Sequence, residues 1–125
     1  MADFTIAQLQ DINVVRCARW HGVEDWTPLE WAGAMCGEAG EAANFAKKLK
    51  RIETEMQNND KRTFGSGIPK PELAQLYRSS IGLEVADTII YGVLLCARVG
   101  VSAEDAVRAA FNNKSEEYGF PERLP

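Results

Sequence analysis

Cysteine and histidine are scarce in this chain of 125 residues, which limits the metal sites it can build. The three cysteines, Cys17, Cys36 and Cys96, are far apart and odd in number, and no C-x-x-C pair occurs. A disulfide framework and a zinc knuckle are therefore not supported. The only histidine is His21. A helical di-iron site needs paired Glu-x-x-His motifs, so that class of protein is excluded as well.

The sequence also lacks a long apolar run and an excess of positive charge. No run reaches the roughly 18 apolar residues of a membrane span, and the start, MADFTIAQLQDINVV, lacks the basic region of a signal peptide. Acidic residues outnumber basic ones by 18 to 14, which argues against a protein whose main role is to bind a nucleic-acid backbone. We expect one cytoplasmic domain over residues 1–125, without membrane or nucleic-acid partners.

Helical patterns dominate the chain, and no segment alternates as a half-buried strand does. We predict helices over 4–20, from 28 to beyond 49, over 71–99 and over 103–118. The second begins with a T-x-x-E capping box at Thr27 and Glu30, and the fourth is capped by Ser102 and ended by Gly119. The segment 58–71, which holds two glycines and two prolines, is predicted to be a mobile surface loop. The predicted fold is an all-α, bundle-like arrangement of four helices.

Two pairs of acidic residues lie on helix faces that are otherwise apolar. Glu38 falls on the apolar stripe of the second helix, with Glu41 at its edge. Glu84 and Asp87 interrupt the third helix, which is apolar nearly all round and is therefore expected to be buried, with a homo-oligomer covering the sides that one small domain leaves open. If the helices pack antiparallel, the four carboxylates converge, and their repulsion raises their pKa values unless a cation neutralises it. Oxygen ligands suit Mg²⁺ or Mn²⁺, which typically meets a substrate phosphate.

A single E-x-x-E pair is more often a solvated helix pattern than a site, but two pairs on two apolar faces favour the metal site. Lys47 and Lys48 follow Glu41 on the second helix and can meet a polyphosphate. They can equally be solvated cations that favour the C-terminal end of a helix.

Further candidates for substrate contact lie outside the two acid pairs. Trp26 or Trp20, beside the loop before the second helix, can stack on a base, whereas we expect Trp31 to pack in the core. Asn112 and Lys114 can close the site from the last helix or can lie at the surface.

The acid motifs within 37–52 and 83–102 resemble those of the all-α nucleoside triphosphate pyrophosphohydrolases, the MazG-like superfamily. The segments 20–39 and 111–125 are similar to the opening helices and closing tail of its small bacterial and phage members. This resemblance implies Mg²⁺-dependent hydrolysis of a (deoxy)nucleoside triphosphate to the monophosphate and pyrophosphate, by a homodimer or homotetramer with paired helices. It also implies that all four acids bind the metal, for which Mn²⁺ can substitute, and that Tyr91 lines the nucleotide pocket.

The mechanism that we predict uses the acids in two ways. Carboxylate-held Mg²⁺ neutralises phosphate charge, while Glu41 serves as general base. Lys47, Lys48 or Lys114 holds the leaving pyrophosphate as a point charge. The alternative is a non-catalytic module of the same fold that senses nucleotides or binds a partner, but four intact acids favour the enzyme.

Overall fold

The computed structural model describes residues 2–61 and 67–125, and within those ranges it contains helices and connecting segments but no strand. A short 3₁₀ turn, Val23–Asp25, lies between the first two α-helices. The α-helices are α1 (Ile6–Cys17), α2 (Pro28–Gln57), α3 (Lys70–Arg98) and α4 (Ala103–Tyr118). The predicted all-α class is confirmed.

Side-chain caps explain where α2 and α4 begin. Thr27 Oγ1 accepts a hydrogen bond from the Glu30 amide at 3.2 Å, and the Thr27 amide donates to the Glu30 carboxylate at 3.3 Å. Two N–H groups at the start of α2 are thereby satisfied, as the capping box predicts. Ser102 Oγ accepts from the Asp105 amide at 3.2 Å in the same way. Gly119, with a φ of 71°, ends α4 in the left-handed conformation that favours glycine.

The first helix is shorter than the predicted 4–20. The Thr5 hydroxyl accepts from the Gln8 amide at 3.0 Å, and the Thr5 amide donates to Gln8 Oε1 at 2.7 Å. This T-x-x-Q capping box starts α1 at Ile6. At the other end the helix stops at Cys17, whose thiol donates to the His21 carbonyl at 3.3 Å.

Two compact units make up the chain. The terminal unit combines the chain up to Gly33 with Ile90–Pro125, and the central unit is Ala34–Ile89. Each helix of the α2 and α3 pair therefore contributes residues to both units, whereas α1 and α4 belong to the terminal unit alone.

The core of the terminal unit is built around Trp31. Its side chain is fully buried against Cys17 and Leu94. Trp31 Nε1 donates to the Val23 carbonyl at 2.9 Å, so the one polar atom of the indole is satisfied inside the core. The prediction that this tryptophan packs in the core is confirmed.

Within the central unit, the described parts of α2 and α3 run antiparallel. The Phe45 ring lies 6.2 Å from the Tyr77 ring, while Glu55 Oε2, further along α2, lies 3.5 Å from Lys70 Nζ at the start of α3. As the numbering rises along α2, the partners on α3 therefore fall. This direction is the one that brings the two acid pairs together.

The predicted loop 58–71 lies between α2 and α3, and residues 62–66 of it are outside the described residues. Of its described ends, Asn59 has a φ of 53° just after α2. Lys70 opens α3 and contacts both Glu55 on α2 and the Asp60 carbonyl. The two described ends of this connection are thus joined through one lysine.

The third helix has exposed apolar side chains in the single chain. Leu76, Leu83 and Ile89 keep 52%, 68% and 50% of their surface in contact with solvent. Because α2 is the one helix beside this part of α3 in the described central unit, sides of α3 stay open in the single chain, and their burial in a homo-oligomer stays a prediction. An apolar window in α3, of mean hydropathy 1.6, has the length and composition of a membrane span. A core helix of a soluble protein meets the same criterion.

Candidate metal centre

Three carboxylates from α2 and α3 come together in the central unit. One oxygen from each of Glu38, Glu84 and Asp87 lies within 4.8 Å of the other two. Glu38 and Glu84 are partly buried and Asp87 is exposed, so the cluster opens towards solvent on one side. The i,i+3 spacing on α3 and the antiparallel direction of α2 account for this convergence.

Glu84 carries the clearest sign of repulsion in this cluster. Contact with the Glu38 carboxyl, burial, contact with Glu41 and the charges of both neighbours raise the pKa of Glu84 from 4.5 to about 7. Two carboxyl groups share a hydrogen bond only when one of them holds a proton, so these contacts favour protonated Glu84. Its Oε2 atom is buried and finds no hydrogen-bond partner in the described chain.

The donor set fits a hard divalent cation. All three groups offer carboxylate oxygen, the ligand type that Mg²⁺ and Mn²⁺ prefer. A cation beside Glu84 Oε2 would supply the positive charge that this buried atom lacks. Glu38, Glu84 and Asp87 are thus the residues best placed to hold it.

Glu41 lies outside this set of three, although it interacts with Glu84 closely enough to raise the pKa of that residue. It is exposed and sits one turn after Glu38 on α2. Its predicted roles as metal ligand and as general base stay predictions.

The lysines that follow the acids on α2 belong to the same unit. Lys47 is exposed. Lys48 is partly buried, and its Nζ lies 5.3 Å from the centroid of the Phe45 ring, which in turn packs beside Tyr77. The sequence does not predict this aromatic pair, because the contact depends on the register of α3 against α2.

The predicted aromatic contacts lie in the terminal unit. Trp26 is partly buried, with its ring 4.5 Å from that of Trp31 and 5.8 Å from that of Trp20. Trp20 keeps 57% of its surface exposed and offers the more accessible face. Tyr91 also packs against this cluster, 6.1 Å from Trp31. These rings form one aromatic cluster, and their contact with a nucleotide stays a prediction.

His21 belongs to the same cluster, which its place in a predicted loop did not indicate. Its ring centroid lies 3.7 Å from Trp20 and 4.9 Å from Trp26. Nδ1 lies 2.9 Å from the Gly22 carbonyl, which can only accept, so Nδ1 donates in this contact. The Nε2 atom of His21 is buried without a hydrogen-bond partner among the described residues. The adjacency of Trp20 and His21 in sequence is the one signal that could have suggested it.

The two candidates on α4 have partners within the terminal unit. Asn112 Nδ2 donates to the Leu124 carbonyl at 3.0 Å, and the Leu124 amide donates to Asn112 Oδ1 at 2.7 Å. Lys114 Nζ pairs with Glu117 at 3.0 Å and lies over the Tyr118 ring. In this structure Asn112 therefore fastens the C-terminal tail to α4, and Lys114 is engaged on its own helix.

Comparison with known proteins adds no further identification. No protein-family model matches the chain, and neither the curated proteins nor the solved structures contain a significant match to it.

Proposed function

We propose that this chain is a Mg²⁺-dependent pyrophosphohydrolase of (deoxy)nucleoside triphosphates with a MazG-type helical fold. The observation that carries the proposal is the convergence of one carboxylate oxygen from each of Glu38, Glu84 and Asp87, in a cluster where Glu84 Oε2 is buried without a hydrogen-bond partner in the described chain. A cluster of this kind on a helical hairpin is costly for folding unless a cation is bound. A protein that needs a bound cation for its activity has a reason to keep such a cluster despite this cost in folding free energy.

Glu38, Glu84 and Asp87 hold Mg²⁺ in this proposal, and Mn²⁺ can replace it. When bound, the cation neutralises charge on the substrate phosphates and lowers the pKa of a water molecule beside them. The cluster is exposed at Asp87, and this is the side from which a substrate phosphate would approach a cation held by the three carboxylates.

Glu41 is the general base in this proposal. It is exposed and contacts Glu84 but is not one of the three converging ligands, so in this proposal its carboxylate is used for proton transfer and not for holding the cation. It takes the proton of the attacking water as the bond to the α-phosphate forms, and pyrophosphate leaves. Removal of a general base typically costs about 10²- to 10⁴-fold in rate, which is the loss expected for Glu41→Gln.

The exposed apolar side chains of α3 support self-association. Leu76, Leu83 and Ile89 are each at least half exposed, and a second copy of the chain can cover them. A homodimer or homotetramer is therefore part of the proposal, as is a cytoplasmic location. Insertion of α3 in a bilayer would place Glu84 and Asp87 within the hydrocarbon, where each acid costs about 2.5–3.5 kcal/mol at the helix centre.

A screen of the eight common NTPs and dNTPs tests the proposed reaction. With Mg²⁺ we expect a monophosphate and pyrophosphate in equal amounts, no turnover in chelator, and recovery with Mn²⁺. The Glu116→Gln variant is the control, because Glu116 is an exposed acid on α4 in the terminal unit. Orthophosphate with a diphosphate, or turnover that survives the chelator, would refute the proposal.

A further inference from the structure

Lys48 differs in its position around α2 from the other basic residues that follow the acids on this helix, which are Lys47, Lys50 and Arg51. At 100° per residue, Lys48 lies only about 20° around the helix from Glu41. Lys47 and Lys50 are turned away from Glu41 by about 120° and 180°. Arg51 already pairs with Glu55, at 4.0 Å. Lys48 is thus the basic residue on the acid-bearing side of α2.

The surroundings of Lys48 leave its charge available. The side chain is partly buried, and its Nζ lies over the Phe45 ring at 5.3 Å, whereas no carboxylate pairs with it among the described residues. A cation held on an aromatic face retains its hydrogen-bond donors. Arg51 and Lys70, by contrast, both contact Glu55.

The side chain of Lys48 lies on the side of α2 that carries Glu41, and it follows Glu38, the residue that α2 contributes to the acid cluster. Phe45, over which the ammonium group sits, follows Glu41 by four residues and Glu38 by seven, rises of about 6 and about 10 Å. Side chains of an α-helix lean towards its N-terminus, which directs Lys48 from its own Cα back towards the acids. A phosphate chain that starts at the acid cluster and extends along α2 in the direction of rising residue number therefore runs towards Lys48.

We propose that Lys48 binds the terminal phosphates of the substrate, and therefore the pyrophosphate that leaves. This inference rests on the proposed function, and it assigns to one lysine a role that the sequence distributes over several. An ammonium group has three hydrogen-bond donors and no acceptor. It therefore matches an anionic phosphate oxygen better than the edge of a base, which carries both donors and acceptors. The phosphate chain, with its negative charge, is the part of a nucleotide that matches an unpaired cation on this face.

Binding of inorganic pyrophosphate tests the contact without turnover. Calorimetry in Mg²⁺ should give a dissociation constant at least about tenfold higher for Lys48→Met than for wild type, because a charge-assisted hydrogen bond is lost while the apolar stem is kept. Lys50→Met is the matched control, because Lys50 is exposed on the opposite side of α2 from Glu41, and it should bind within about twofold of wild type. Lys48→Arg, which restores the charge, should recover most of the affinity.

Kinetics separate this role from a structural one. In Lys48→Met we expect KM for the preferred triphosphate to rise about tenfold or more, while the melting temperature stays near that of wild type. Equal pyrophosphate affinity in Lys48→Met and wild type would overturn the inference. A changed base preference with unchanged pyrophosphate affinity would also overturn it, because Lys48 would then contact the base. If wild type binds pyrophosphate through Lys48 but hydrolyses no nucleotide, the proposed function fails and the phosphate contact stands.

Discussion

Replacement of Glu84 by Gln tests the physical basis of the acid cluster in the absence of metal. In the folded chain the pKa of Glu84 is about 7, against an ordinary value of 4.5. At pH 5.75, midway between these values, the folded carboxyl holds about 0.95 of a proton and the unfolded one about 0.05. Folding is therefore linked to the uptake of about 0.9 of a proton by this group.

The sign of the effect follows from that uptake. Since the folded state binds more protons than the unfolded state between pH 4.5 and 7, the free energy of unfolding of the wild type falls as pH rises through this window. Below pH 4.5 both states are protonated and the penalty vanishes, while above pH 7 the penalty is constant. Glu84→Gln keeps the side-chain shape but cannot ionise, so this pH dependence should disappear in the variant.

Urea unfolding in chelator at half-unit steps from pH 4 to 8 measures the difference. The slope of unfolding free energy against pH gives the number of protons taken up on folding. Near pH 5.75 this number should be larger by about 0.9 for wild type than for Glu84→Gln. At pH 7.5 the variant should be as stable as wild type or more stable, and Glu116→Gln should follow wild type throughout. Parallel slopes for wild type and Glu84→Gln, or a variant that is much less stable at pH 7.5, would refute the repulsion on which the metal site depends.

Three further predictions concern the fold and assembly. Trp31→Ala should lower the free energy of unfolding by about 3–5 kcal/mol in urea titrations, because a fully buried indole is removed; a loss below 1 kcal/mol would contradict the core described here. Thr27→Ala should cost about 1 kcal/mol through the lost cap of α2, and no change in the urea midpoint would count against that cap. Light scattering at micromolar concentration should give a mass of at least twice 13.8 kDa, and Leu83→Glu should reduce it to a monomer because it charges an exposed apolar face; a monomeric wild type would contradict self-association.

The helix boundaries could be predicted where they depend on local chemistry. Thr27 with Glu30, and Ser102 with Gly119, act within one turn of the chain, so their sequence pattern is sufficient. Thr5 with Gln8 forms the same type of local motif, and this motif is sufficient to predict that α1 starts at Ile6. The end of α1 depends on the packing around Cys17, which no local motif encodes.

The acid cluster could be predicted in outline because two periodicities coincide. Glu84 and Asp87 share a side of α3, Glu38 lies on the apolar stripe of α2, and the antiparallel helices bring them together. The sequence does not determine which of the four acids converge, because that depends on side-chain rotamers at the contact. The position of Glu41 outside the set of three is such a case.

Other features depend on tertiary neighbours that the sequence does not reveal. Asn112 is bound to the backbone of Leu124, twelve residues away, because the tail folds back along α4. The exposed sides of α3 are a second case, because apolar periodicity shows what a helix can bury and not which neighbours cover it.

Binding of Mn²⁺, followed by electron paramagnetic resonance, tests most directly whether the acid cluster is a metal centre. Wild type should bind the ion saturably, Glu116→Gln should bind it equally well, and Glu84→Gln should bind it at least about tenfold more weakly because one carboxylate ligand of three is lost. No saturable binding by wild type, or equal affinity in wild type and Glu84→Gln, would contradict the metal centre formed by Glu38, Glu84 and Asp87.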